Sequence, residues 1–426
     1  MKNILLLTAL IVFLTACNNE DGPVSRSIFK ITIAPSVDMN GAQAWIIVRK
    51  TADGELIDYK SIAPGEIVNM ESTTSIPGDK IDVTYFTYSQ NKGDNTQTFY
   101  TSRTYTKMDV GSEWLIDETR SLSSSPTKIG TYELNVYGIP TILSFALSDK
   151  FGSTIDGLET PHGYLGGSHL PIRSDAPTQL LVIDPGVGDP KYKLLENLQN
   201  NGSYSFDFSE LDEFDKILEV KGSKPMKFGA DVVGYDAIPA ANQYAAYQFY
   251  LDVFYSPDYG AWPFDVERES LKLGFLNRFP VYRTEVTCGG FYYISLGPAP
   301  QSIEVVDASS ITVTNGTIEG FDYTSTVSPL RSKVLFGYST PYAPGIDREF
   351  LNQTFYSDAS HDTRLLQPLP QELIDQLAIP VDKTDYNGAT FFLSGDSYAD
   401  FLKRPKSYDG TSYGPTAPFV ETSISK

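Results

Sequence analysis

Four residues in one short segment have side chains that could bind a ligand: Tyr259, Trp262, Phe264 and Asp258. They are interleaved with serine, proline and glycine, a composition typical of a loop. Aromatic rings on a loop can stack on the apolar faces of sugars, and a neighbouring carboxylate can accept hydrogen bonds from sugar hydroxyls. The segment therefore favours carbohydrate binding. The alternative is that Trp262 and Phe264 only cap the core of their domain.

Metal chemistry has little support in the sequence. The chain has three histidines, His162, His169 and His361, and the first two lie in a glycine-rich stretch that could bring both rings to one ion. A zinc site usually needs three or four protein ligands, so we expect an exposed glycine loop there. Aspartates are frequent among the turns of residues 184–215, but they do not follow an EF-hand pattern. We therefore predict neither a metal site nor a cofactor.

The sequence contains no catalytic motif that we recognise: no Gly-x-Ser-x-Gly elbow, phosphate-binding loop, dinucleotide fingerprint or His-Glu-x-x-His pair. Gly395-Asp396-Ser397 is similar to the start of the nucleophile block of GDS-type esterases. No histidine follows Ser397, although that family needs one, so we expect Ser397 to cap a helix. A glycosidase stays open, because its two carboxylates are set by spatial separation and leave no sequence spacing.

The N-terminal residues have the pattern of a secretory signal. A short basic start is followed by an apolar run over residues 4–13 and then by Leu14-Thr15-Ala16-Cys17. As a helix, residues 4–15 would be about 18 Å long, which is less than the roughly 30 Å hydrocarbon core of a bilayer. The segment is therefore predicted to be a signal peptide rather than a membrane span.

Leu14-Thr15-Ala16-Cys17 resembles a lipobox, in which a branched apolar residue and two small residues precede a cysteine. The resemblance implies cleavage after Ala16 and acylation of Cys17, so that two or more acyl chains hold the protein on a membrane. The polar and acidic residues 18–21 resemble the surface-export signal of bacteroidete lipoproteins, which implies an outer-membrane location facing the cell exterior. The alternative is an ordinary signal peptide with an incidental cysteine.

Acidic side chains outnumber basic ones, 53 against 33, and give a formal net charge of −20. Such a surface repels phosphate backbones, which argues against nucleic-acid binding. If Cys17 carries lipid, Cys288 is left without a partner for a disulfide, and we expect it to be a buried free thiol. The many aromatic, threonine, valine and isoleucine residues fit the half-buried surfaces of β-sheets.

Period-two alternation predicts many short strands, beginning with Phe29, Ile31 and Ile33 on one face. Trp45 is a candidate for the core, and Asn315-Gly316 predicts a hairpin with a type I′ turn. Short helices are expected only after Pro370 and after Ser397. The predicted fold class is all-β with minor α, as tandem immunoglobulin-like β-sandwich modules followed by a larger, mainly β domain.

The predicted domain organisation follows from these patterns and from a serine-rich stretch without apolar periodicity at residues 118–128. Its segments are a signal peptide 1–16, an acylated N-terminus and tether 17–26, a β-sandwich module 27–117, a linker 118–128, a second β-module 129–230, and a C-terminal domain 231–426.

This modular plan resembles the glycan-capture lipoproteins of bacteroidete outer membranes, in which an immunoglobulin-like spacer carries binding domains outward. The resemblance implies a binding or adhesion protein whose partner is a glycan or another surface protein. The alternatives are a carbohydrate-active hydrolase in the C-terminal domain and a structural or assembly component with a protein partner. An exposed aromatic platform would favour glycan binding. Paired carboxylates in a cleft would favour the hydrolase, and a flat apolar patch would favour a protein partner.

Overall fold

The fold is all-β, as predicted, with two short α-helices among the residues that the structure describes. The structure is a computed structural model. It describes residues 25–39, 41–92, 96–117, 127–142, 144–149, 152–153, 158–159, 163–174, 178–235, 249–253, 267–318, 320–360, 368–404, 406 and 419–425. In this part of the chain, no helix has the length and apolar character needed to span a bilayer.

The N-terminal strands form two sheets that face each other. The strands are β1 Arg26–Ile33, β2 Gln43–Lys50, β3 Leu56–Ile62, β4 Ile67–Ser72, β5 Lys80–Lys92, β6 Thr96–Asp109 and β7 Ser112–Ile116. Strand β1 pairs antiparallel with β4 and parallel with β7. This three-stranded sheet packs on β2, β5 and β6 through a core that includes Phe29, Ile46 and Trp114. Phe29, Ile31 and Ile33 are buried, which confirms the predicted alternation in β1.

The second group of strands forms the next two sheets. They are β8 Lys128–Tyr137, β9 Ser144–Asp149, β10 Gly152–Ser153, β11 Leu158–Glu159, β12 Tyr164–Arg173, β13 Gln179–Asp184, β14 Lys191–Leu195, β15 Gly202–Asp207 and β16 Asp212–Glu213. The sheet orders are β11-β12-β8-β15 and β10-β9-β13-β14-β16. Strands β9 and β13 are buried on both faces, because Leu147 and Leu181 contact one core while Ala146 and Leu180 contact another. The five-stranded sheet is therefore a middle layer.

Most of the remaining strands belong to a thirteen-stranded sheet. The remaining strands are β17 Lys216–Tyr235, β18 Phe249–Val253, β19 Glu267–Phe275, β20 Val281–Cys288, β21 Phe291–Gly297, β22 Ile311–Asn315, β23 Asp322–Ser325, β24 Arg331–Ser339, β25 Arg348–Asp358, β26 Asp385–Phe392 and β27 Phe419–Ser425. Of these, β22 and β23 form a separate two-stranded sheet. The helices are α1 Gln371–Leu377 and α2 Tyr398–Leu402. Four 3-10 turns are described, at Pro77–Asp79, Phe208–Glu210, Ala308–Ser310 and Val381–Lys383.

The large sheet joins distant parts of the chain. Its order is β18-β17-β20-β21-β27-β26-β24-β25-β6-β5-β2-β3, with β19 paired to β17. The link between its N-terminal and C-terminal strands is the parallel pair β6–β25. Strand β17 runs through residue 230, where the sequence analysis set a boundary. The domain boundaries themselves stay a prediction.

One face of the large sheet is covered by α1 and by the β22–β23 hairpin. Leu373 and Ile374 of α1 pack on Trp45, which confirms Trp45 as a core residue. Tyr323 of β23 packs on Phe391 of the sheet, with ring centroids 4.6 Å apart. The opposite face of the large sheet is partly covered by the three-stranded sheet. The part of that face that the three-stranded sheet leaves open carries polar and aromatic side chains.

Two local predictions are confirmed and one is wrong. Ser397 Oγ accepts a hydrogen bond from Asp400 N at 3.2 Å, so Ser397 caps α2. Cys288 is a buried free thiol. The type I′ turn is not formed, since neither Asn315 nor Gly316 has a positive φ. Instead, Asn315 Oδ1 accepts from Thr317 N at 3.1 Å, a side-chain turn that starts a longer loop to β23.

A lysine lies at the centre of an aromatic cluster where α2 meets β6 and β7. Lys406 is fully buried, and Nζ donates to the carbonyl oxygens of Leu402 and Arg404 at 3.4 and 2.7 Å. Three ring centroids lie 5.0, 5.4 and 5.6 Å from Nζ, those of Tyr105, Trp114 and Phe401. Burial lowers the pKa of Lys406 to about 7, whereas the ring faces favour its charged form.

Candidate ligand-binding face

The candidate site lies on the face of β6 and β25 that α1 and the β22–β23 hairpin do not cover. In the parallel ladder, Phe99 is paired with Phe350 and Thr101 with Asn352. Paired residues in a sheet point to the same face, and so do residues two apart on one strand. We call this surface the binding face and define it by Phe99, Thr101, Arg103, Lys333, Arg348, Phe350 and Asn352, together with Tyr342 of the adjoining loop.

An aromatic stack forms one end of the binding face. The rings of Phe99 and Phe350 are parallel within 8°, with centroids 4.9 Å apart. The Arg348 guanidinium lies 4.6 Å from the Phe350 centroid and 5.6 Å from that of Tyr342. The four groups therefore lie in the order Phe99, Phe350, Arg348, Tyr342, and each is held by a stacking or cation–π contact with the next. The Tyr342 side chain at the end of this series is 75 % exposed, so an aromatic face is open to solvent.

Tyr342 is presented by the β24–β25 loop, residues 340–347. Thr340 and Glu349 close the base of the loop through two hydrogen bonds, Thr340 N to Glu349 O at 3.0 Å and Glu349 N to Thr340 Oγ1 at 3.1 Å. Asp347 Oδ1 accepts from Thr96 N at 2.8 Å, which joins the loop to β6. Ile346 in the same loop is 50 % exposed. The loop therefore offers apolar surface from a fixed base.

Hydroxyl and amide groups surround the aromatic stack. Ser89 and Thr87 of β5 are paired with Phe99 and Thr101, and Ser339 of β24 is paired with Phe350. Asn352 is exposed, and Thr101 beside it is partly exposed. These groups can donate to and accept from the hydroxyls of a polar ligand. The arrangement combines apolar rings with hydrogen-bonding groups on a rigid sheet.

Basic side chains lie at the other end of the face. Burial lowers the pKa of Lys333, Glu421 acts in the opposite direction, and Arg103 and Arg331 lower this pKa further. Burial raises the pKa of Glu421 to about 7, against the effect of Lys333 and Arg331. Arg331 is buried, with its guanidinium 3.3 Å from the ring centroid of Phe392. Lys333 and Arg103 are partly exposed.

The ligand-binding residues that the sequence analysis singled out, Tyr259, Trp262, Phe264 and Asp258, lie outside the described residues, and so does Cys17. Their roles stay predictions. Of the three histidines, His169 is described; it is exposed, with φ 61°. It lies in strand β12, so the expectation of a glycine loop is wrong at this residue. The described residues contain no group of three or more histidine, cysteine or carboxylate side chains able to hold a metal ion.

Sequence reasoning missed the binding face. Tyr342 lies in Thr340-Pro341-Tyr342-Ala343-Pro344-Gly345, a loop composition that could have marked it as an exposed aromatic residue. Phe99 and Phe350 gave no such signal, because each belongs to an ordinary β-pattern and their pairing depends on the order of strands.

The chain has little similarity to known proteins. No family model matches the chain, and no curated protein matches it. Among solved structures, the chain has a match to a C-terminally truncated tip fimbrial protein, Mfa3, from Porphyromonas gingivalis. The match has 8 % identity and a TM-score of 0.15 and covers 59 % of this chain and 100 % of the other. A similarity at that level carries no argument about this protein. Fold and site define an all-β protein with an aromatic and basic sheet face.

Proposed function

We propose that this protein is a lipid-anchored binding protein of the outer membrane, with glycans as ligands of the binding face. The observation that carries the binding role is the exposed aromatic end of the face. There Tyr342 and Ile346 leave apolar surface in solvent, 75 % and 50 % exposed, beside a polar sheet surface. Exposed apolar patches rimmed by polar groups are typical of interaction sites.

The chemistry of the face favours sugars among polar ligands. Sugars combine apolar ring faces with many hydroxyls, and they are bound by aromatic side chains next to a few fixed polar groups. Tyr342 supplies the ring, and Asn352 and Thr101 supply hydrogen-bonding groups on adjacent strands. Because Asn352 and Thr101 stand on paired strands, little backbone entropy is lost at these two residues when a ligand binds.

Replacing Tyr342 by alanine tests the binding role. We expect Tyr342→Ala to weaken binding to glycans on an array at least tenfold, the effect of losing about 1.4 kcal/mol of contact energy. Tyr137→Ala is the matched control, because Tyr137 is a 50 % exposed tyrosine on β8, outside the binding face.

Unchanged glycan binding by Tyr342→Ala would contradict the proposal. Loss of binding on Trp262→Ala instead would move the site to the sequence-predicted loop. Hydrolysis of a bound glycan would favour the enzyme alternative, and binding to surface proteins without any glycan binding would favour a protein partner.

The anchor is tested separately, at Cys17. We expect the mature protein to begin at an acylated Cys17 and to sediment with outer membranes, because two or more acyl chains hold a protein stably on a bilayer. Cys17→Ser should release the protein into the soluble fraction. An unprocessed N-terminus in the mass spectrum of the wild-type protein would contradict the anchor.

A further inference from the structure

We propose that the glycans bound by this face carry carboxylate or sulfate groups, which Arg103, Lys333 and Arg348 hold. The inference rests on the proposed function, because it names the ligand class of the same face.

The strand order brings the three basic residues to one surface. Arg103 lies on β6, Arg348 on β25 and Lys333 on β24, which are consecutive strands of the large sheet. Arg348 is paired with Gln97, which precedes Arg103 by six residues on β6. The backbone positions of Arg348 and Arg103 are therefore about 20 Å apart along the strand direction. Lys333 lies two strands from β6, about 10 Å across the sheet. A ligand that meets all three must extend over several sugar rings.

Two of these cations, Lys333 and Arg348, form no ion pair with a described carboxylate, although Glu421 lies near enough to Lys333 to raise its pKa. Among the described residues, no carboxylate lies within ion-pairing distance of Lys333 or Arg348, although the chain has 53 acidic side chains. Elsewhere, exposed lysines do find partners, as Lys272 does with Asp189 at 2.6 Å. The binding face therefore has basic groups whose charge is left for a ligand.

The electrostatics of the face favour an anion. Arg103 and Arg331 both repel the charge on Lys333 and lower its pKa, so a bound carboxylate or sulfate would relieve this repulsion. On strands β24 to β27, the register assigns three carboxylates to the same face. Asp358 on β25 is ion-paired with Lys107 at 2.8 Å, and Glu421 and Asp385 lie on β27 and β26, at the margin of the binding face. The pKa of Glu421 is raised to about 7, so Glu421 only partly neutralises the cations at neutral pH.

The experiment compares acidic and neutral polysaccharides on the mature protein. The probes are heparin, which is sulfated, polygalacturonate, which is carboxylated, and dextran and amylose, which are neutral. We expect the wild-type protein to bind at least one acidic probe, more weakly as NaCl rises from 50 to 300 mM, because salt screens the charges. The two acidic probes separate sulfate from carboxylate recognition.

The variant Lys333→Gln removes one cation without touching the aromatic stack. We expect it to weaken binding of the acidic probe about tenfold, while Lys128→Gln, which changes an exposed lysine on β8, has no effect. Arg103→Gln is the second variant, in case Lys333→Gln does not fold as judged by circular dichroism.

Failure of this inference and failure of the proposed function give different results. If the protein binds only neutral glycans, in a way that depends on Tyr342, the binding role stands and the acidic ligand class is overturned. Acidic-glycan binding that neither Lys333→Gln nor Arg103→Gln changes also overturns it. If neither acidic nor neutral glycans bind, both proposals fail.

Discussion

The wild-type protein is expected to become more stable between pH 7 and pH 9, and Lys406→Met is expected to abolish this gain. Burial lowers the pKa of Lys406 to about 7 in the folded state, whereas an unfolded lysine keeps a pKa of about 10.4. Between these values the unfolded chain binds more protons than the folded chain. The free energy of unfolding therefore rises with pH over this range. Below pH 7 it is lower by the whole cost of keeping the buried amine charged.

The size of this effect follows from the linkage relation. Well above the folded pKa, each pH unit adds about 1.4 kcal/mol. The slope is half of that at pH 7, where Lys406 is half deprotonated, so the gain from pH 7 to pH 9 is about 2 kcal/mol. The faces of Tyr105, Trp114 and Phe401 favour the charged amine and so reduce this gain. Methionine fills a similar volume without a charge and removes the titration.

Urea unfolding at pH 7 and pH 9 measures this difference. Lys403→Met is the matched control, because Lys403 lies three residues away in the same segment and its side chain is 77 % exposed. The control should keep the pH dependence of the wild-type protein. An identical pH dependence in wild type and Lys406→Met would show that Lys406 does not carry it.

Tyr105→Ala is expected to lower the free energy of unfolding of the N-terminal sheets by about 4 kcal/mol, the usual cost of removing a large buried ring. Tyr105 is completely buried. Its ring centroid lies 5.0 Å from that of Trp114 and 4.8 Å from that of Tyr356, in edge and stacked contacts. A cavity at this point would remove contacts with β7, β25 and α2 together.

The matched control for this prediction is Tyr105→Phe, which keeps the ring and its contacts. We expect it to lose far less stability than Tyr105→Ala. Hydrogen exchange of β1, β6 and β7 amides reports the stability of this region directly. If Tyr105→Ala and Tyr105→Phe had the same small effect, the aromatic cluster would not be a source of stability.

The Tyr105→Ala variant also connects the stability of the core to ligand binding at the binding face. Tyr105 follows Arg103 by two residues on β6, and Tyr356 follows Asn352 by four on β25, so core and face are built on the same two strands. A loss of packing beneath these strands should therefore weaken ligand binding as well. Lys406→Met preserves the packing volume and should leave binding unchanged.

The sequence by itself determined the fold class and several local structures. Aromatic and β-branched residues at period two predicted strands, as in β1, because alternation is a property of one strand and its two environments. Serine before an apolar helical turn predicted the cap at Ser397 for the same local reason. The Asn315-Gly316 turn was predicted wrongly, because the Asn315 side chain bonds the backbone and offers another local turn.

Only the tertiary structure decided where the binding face is. Phe99 and Phe350 are 251 residues apart and meet because β6 and β25 pair in parallel. Alternation in the sequence shows which residues share a face of one strand, but it does not predict which other strand will pair with that strand. Likewise, a net charge of −20 averages over the whole surface and hides a local group of basic residues. Strand order sets both features, and strand order is fixed by packing between distant segments.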